Sequence, residues 1–171
     1  TQPPNFLTGW VREAAYYVQL SGSPATLGSD ASYVQAYARG ERVWPIVQGP
    51  WYVRLRGEVG TSWVSDFSQL PGSQRFFAGG DRSVRGFGYT DLSPTDELGA
   101  KVGGRHLLTA TAEVIRDLPR NFGIAAFVDA GNAFDNFGDP LQYSAGIGLR
   151  LRLPVVTLGI DIAQPLTNPA C

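Results

Sequence analysis

The stretch LQYSAGIGLRLRLP, residues 141–154, carries the clearest periodic signal in the chain. Leu141, Tyr143, Ala145, Ile147, Leu149, Leu151 and Leu153 take every second position, and Gln142, Ser144, Gly146, Gly148, Arg150 and Arg152 fill the gaps. Neighbouring side chains of an extended chain point to opposite faces, so this alternation over about 13 residues describes a strand with one apolar face. VVTLGIDIA (155–163) repeats it, with Val156, Leu158, Ile160 and Ile162 against Thr157, Gly159 and Asp161. NFGIAAFVDAG (121–131) sets Phe122, Ile124, Ala126, Val128 and Ala130 against Gly123, Ala125, Phe127, Asp129 and Gly131. WYVRLRGEVGTSW (51–63) sets Trp51, Val53, Leu55, Val59 and Trp63 against Tyr52, Arg54, Arg56 and Glu58.

A soluble sandwich alternates too, so length and chemistry arbitrate. Ordinary strands average about five to six residues, whereas membrane-spanning strands need about nine to eleven. These segments reach or exceed that. Their second face, rich in glycine, serine and charges of both signs, suits a wet lumen, and Trp51 and Trp63 stand at the two ends of one strand where aromatic girdles belong. The expected fold is all-β, a transmembrane antiparallel β-barrel. Strands are predicted near 6–20, 31–44, 50–64, 105–118, 121–132, 141–153 and 155–164, the first two alternating poorly. The joints PIVQGP, PR and PV are short, while SGSPATLGSD, 65–104 and AFDNFGDP are longer. Short turns on one side and long loops on the other is the asymmetry of outer-membrane barrels. Seven strands would leave bare edges in lipid, so the chain is expected to be part of a larger barrel.

Composition narrows the function. The net charge of −1 over 171 residues gives no field to recruit nucleic acid. No apolar run approaches the roughly 20 residues of a membrane helix. A start at Thr1 without methionine reads as a processed protein or a fragment, and Cys171, the sole cysteine, allows no internal disulfide. His106, the sole histidine, stands beside Arg105 and reads as an interfacial polar residue. Asp129, Asp135 and Asp139 with Asn132 and Asn136 lack the spacing of a calcium loop, and loop polarity accounts for them. No serine or cysteine has a His/Asp set at hand. Neither enzyme, cofactor nor metal is expected.

The interruption at 65–104 is too long for a hairpin turn. Within it RFFAGGDRSVRGFGY (75–89), followed by GGRHLLTATAEV (103–114) and FVDAGNAF (127–134), closely resembles the carboxyl-terminal barrel half of the BamA/TamA superfamily, closest to its TamA branch, over about residues 50–166. The resemblance implies sixteen antiparallel strands preceded by periplasmic domains that are absent here. It also implies that the loop 65–104 folds back into the lumen, with its tip Val84, Arg85, Gly86 and Phe87 against a wall site of Phe127, Asp129 and Gly131. The family's last strand, which pairs weakly with the first to make a lateral gate, has no counterpart in the sequence. Alternation independently puts Asp129 on the inner face between small Ala125 and Gly131, and Glu113 on the inner face opposite Leu108, Ala110, Ala112 and Val114. A carboxylate pair would match the fork of an inward arginine. Gly79, Gly80, Gly86 and Gly88 would permit the positive-φ turns of a tucked loop. Arg54, Arg56, Arg150 and Arg152 read as structural lumen charge, with a conducting pore as the alternative.

The resemblance makes the chain part of an outer-membrane assembly or translocation factor, with β-barrel or autotransporter proteins inserted through a lateral seam. Its partners would be the outer-membrane bilayer, unfolded clients and a periplasm-spanning TamB-like protein. A two-partner-type secretion translocator or a passive diffusion channel are the alternatives.

Overall fold

The structure is a computed structural model that describes residues 14–23, 32–46, 49–153 and 157–168. Seven strands form one sheet: β1 (Ala14–Ser23), β2 (Tyr33–Pro45), β3 (Trp51–Val64), β4 (His106–Asp117), β5 (Phe122–Phe134), β6 (Gln142–Arg152) and β7 (Thr157–Pro165). Every strand pairs antiparallel with its sequence neighbours, in the order β1 to β7, so the sheet is a meander with β1 and β7 at its edges. The only helical pieces among the described residues are two single 3-10 turns, Phe67–Gln69 and Gly72–Gln74.

Strand ends fall within three residues of the sequence expectation wherever they can be compared. The first strand runs on to Ser23 because Ser21, Gly22 and Ser23 pair with Gln35, Val34 and Tyr33. Its expected beginning at residues 6–13 lies outside the described residues. So do Val156, the joint PV and parts of the joints PIVQGP and SGSPATLGSD.

The two faces of the sheet differ. One carries Val18, Val59, Leu108, Val128, Ile147 and Ile160, all exposed. An uncovered apolar face of this extent is costly in water and natural in hydrocarbon. The other face is covered over its centre by the segment 65–104, and there the inward residues of β4 and β5 are buried at alternate positions. Ala78, Val84, Phe87 and Leu92 of the segment join Leu107 of β4 and Ala133 of β5 in one apolar cluster, flanked by Tyr37 and Phe76. The long connection thus brings the molecule its only apolar core cluster among the described residues, on a face the strands left polar.

The segment is folded rather than draped. Isolated bridges join Phe76 to Gly104, Ala78 to Leu92 and Thr95 to Lys101. Arg75 ties its base by donating to the carbonyls of Leu70, Val102, Phe67 and Ser68 at 2.8–3.2 Å. Gly79, Gly80 and Gly86 take positive φ as expected, but Gly88 does not. Glycine is needed at 88 for a different reason: its amide meets the Asp91 carboxylate at 2.8 Å, in the space a side chain would fill.

Candidate functional site

Three successive rows of inward residues cross β4 to β7. The first holds Thr111, Asp129, Ser144 and Pro165, the second Glu113, Phe127, Gly146 and Ala163, and the third Ile115, Ala125, Gly148 and Asp161. Each row therefore contributes one carboxylate, from β5, β4 and β7 in turn. Gly146 leaves the space that the Phe127 ring enters.

Arg85, at the tip of the covering segment, lies over the middle row. Its guanidinium carbon stands 3.3 Å from the centre of the Phe127 ring. Nε and Nη2 donate to the two oxygens of Asp129 at 2.8 and 2.9 Å, and the Arg85 backbone amide adds a third bond to the same carboxylate at 3.0 Å. Nη1 turns the other way, to Asp161 at 3.1 Å and Glu113 at 3.4 Å. The Asp129 and Glu113 side chains are fully shielded from solvent and that of Arg85 is 6% exposed. Burial alone would lower the pKa of Arg85, but the hydrogen bonds to Asp129 and Asp161 and the negative charges of Asp129 and Glu113 together outweigh it and raise the value, so the group stays charged. A fork that meets both oxygens of one carboxylate is geometry that lysine cannot reproduce.

The other tip residues lock this placement. Val84 is fully buried and Phe87 nearly so, both in the apolar cluster. Gly86 has φ +89°, and a side chain there would press on the backbone of Ala163, Gln164 and Pro165 in β7. Arg56 of β3 reaches up to the carbonyl of Ser83 at 2.9 Å while also holding Thr111 at 3.1 Å.

The sequence-derived site residues divide as follows. Arg85, Asp129, Glu113 and Phe127 come together; Val84, Gly86 and Phe87 wedge the tip beside them. Gly131 does not receive the tip. The space beside it is filled by Leu108 and Thr109 of β4, so glycine there serves the close approach of two strands. Asp161 is a partner that sequence reasoning did not single out, and Arg150, read there only as structural lumen charge, grips Glu113 at 2.8 Å and also pairs with Asp161. The only advance signal was that both fall on the polar face of an alternating strand. Arg54 completes the network, paired in a fork with Glu41 at 2.9 and 3.1 Å and 3.7 Å from Glu113. His106 packs at a tilt against Phe134 and Phe137 and shares a 2.9 Å hydrogen bond with Thr61.

Chemically the site is an ionic brace. It contains no nucleophile–base pair, and no cluster of three metal-binding side chains occurs among the described residues.

Comparison with known proteins adds the context. A family model described as the Omp85 superfamily domain matches residues 13–170. The outer membrane protein assembly factor BamA of Nitratidesulfovibrio vulgaris is 33% identical over 105 residues, covering 57% of this chain and 13% of that protein. The crystal structure of BamA from Haemophilus ducreyi lacking POTRA domains 1–3 superposes with a TM-score of 0.71 at 23% identity, over 91% of this chain and 36% of that one. The chain therefore spans a minor part of the length of each of these relatives.

Proposed function

The chain belongs to the Omp85 superfamily and to the bacterial outer membrane, and from that premise we propose that it forms part of the barrel wall of a factor that helps other outer-membrane proteins fold. Family membership also places it outside the enzymes. The observation that carries the proposal is the seated tip: Arg85 buried against Asp129 and Glu113. A loop locked to the wall by a buried charge cluster occupies the space a passive pore would leave open. It also rigidifies a wall whose other strands must hold while an edge accepts an incoming strand. Such strand addition supplies backbone hydrogen bonds that a client cannot find in lipid.

The finer reading has the segment 65–104 inside the lumen of a sixteen-stranded barrel, periplasmic domains upstream, and a weak lateral seam as the point of client entry. Kinship with the TamA branch rests on the stretches 75–89, 103–114 and 127–134 together, and with it come autotransporter clients and a TamB-like partner. The experiment is insertion of an unfolded β-barrel client into vesicles of outer-membrane lipid with and without the full-length protein. Faster insertion with the protein supports the proposal. Steady conductance that is insensitive to Arg85→Ala, without any gain in client insertion, would replace it with the channel reading.

A further inference from the structure

We infer that Asp161 and Arg150 are positioning residues through which the seating of the loop tip and the hold on strand β7 depend on each other. Among the described residues β7 pairs with β6. Its outward residues Ile160 and Ile162 are 71% and 72% exposed, so its side-chain contacts gather on the inner face. Asp161 receives Arg85 from the loop at 3.1 Å and Arg150 from β6, so one carboxylate is gripped by two cations from two different elements. Gly86 lies directly on the β7 backbone from Ala163 to Pro165.

The register explains how β6 takes part. Asp161 stands opposite Gly148, not opposite Arg150, whose own partner is Gly159. Neither glycine has a side chain, and Arg150 lies diagonally across the room they leave. From there it reaches Asp161 and, on its other side, Glu113 of β4. Glu113 in turn touches Arg85. Loop tip, β4, β6 and β7 are thus joined in a closed ring of ion pairs. Lifting the tip removes one of two cations from Asp161 and the glycine wedge from the β7 backbone. Loosening β7 removes one of three carboxylates from Arg85. Such coupling is reciprocal by thermodynamic necessity.

Hydrogen–deuterium exchange on the full-length protein in lipid vesicles tests this, with residues 106–117 and 122–134 as internal reference. Arg85→Ala is expected to speed exchange in 157–165 about tenfold while the reference strands stay protected. Asp161→Asn is expected to speed exchange in 76–92 by a similar factor, and Asp161→Glu, which restores a carboxylate, to recover part of the protection in both segments. If Arg85→Ala does not assemble, Arg85→Lys takes its place, because it keeps the charge and loses the fork. Unchanged exchange in 157–165 when the tip is weakened, unchanged exchange in 76–92 when Asp161 is altered, or uniform acceleration everywhere would each overturn the inference. None of these readings involves a client, so their failure leaves the proposed function standing.

Discussion

Replacing Arg85 by alanine in the full-length protein removes the centre of the brace, and the structure fixes how much should be lost. Asp129 keeps only the Arg85 backbone amide among the bonds it makes to the tip, and its carboxylate has no exposure to water with the tip in place. Glu113 fares better, since Arg150 remains at 2.8 Å. The cost thus concentrates on one uncompensated buried carboxylate, for which loss of a partner runs to about 3–5 kcal/mol. Water can enter as the tip lifts, so the lower end applies, about 3 kcal/mol, which shifts the docked-to-undocked ratio about a hundredfold. Buried Val84 and Phe87 still hold the tip, each contributing roughly 1.5–3 kcal/mol. The loop should therefore open often rather than fall away. Proteolysis from outside intact cells, with cleavage mapped within 65–104, measures this directly. Asp129→Ala should cost less, because Arg85 retains Asp161 and Glu113. Cleavage of Arg85→Ala at the wild-type rate would refute the reasoning.

Gly86→Ala should destabilise the seated tip by about 1–3 kcal/mol, since it adds a strained positive φ to a clash with β7, and the same proteolysis assay reads it. Glu113→Gln should destabilise the fold more than Asp161→Asn, by roughly 3 against 1 kcal/mol, because the first carboxylate is fully shielded and the second is 28% exposed; the order of the unfolding temperatures, read from gel mobility of heated against unheated protein, checks it. Phe127→Leu keeps an apolar floor but loses the ring beneath Arg85, costing about 1 kcal/mol in the same thermal series. Val128→Arg, one residue from Asp129 but on the bare face, should cost about 2–4 kcal/mol in bilayers if it sits near mid-membrane, whereas a water-facing surface would tolerate it.

Much of this was legible in the sequence because the period of a strand is two and one face meets lipid. In β6, Ile147 and Leu149 against Gly148 and Arg150 leave no ambiguity about which way each residue points. β2 was harder. Its outward face carries large apolar residues only near its ends, Val34 and Trp44, with Ala36, Ala38, Gly40 and charged Arg42 between them, and its inward face carries Tyr37, which donates to Glu58 and packs on Phe76. An aromatic facing inward and small residues facing out erase the hydropathy contrast on which periodicity depends. The same limit applies to the site. Asp129 and Glu113 could be placed because their own strands alternate cleanly. Asp161 could be assigned to a face but not to a partner, since its meeting with Arg85 spans 76 residues of chain and depends on where the loop tip lands. Gly131 differs again: the family resemblance implied a place beside the tip, whereas in the structure the space beside it is taken by Leu108 and Thr109 of β4.

The most direct test of the account is a double-mutant cycle on Arg85 and Asp129 with client insertion as the readout, using the full-length protein in vesicles of outer-membrane lipid. If the buried pair is what holds the working barrel in shape, each single change slows insertion, and the double change is little worse than Arg85→Ala alone, a coupling of at least about 1 kcal/mol. Additive losses would mean that the two residues act separately, and undiminished insertion in all three variants would mean that the brace plays no part in the function.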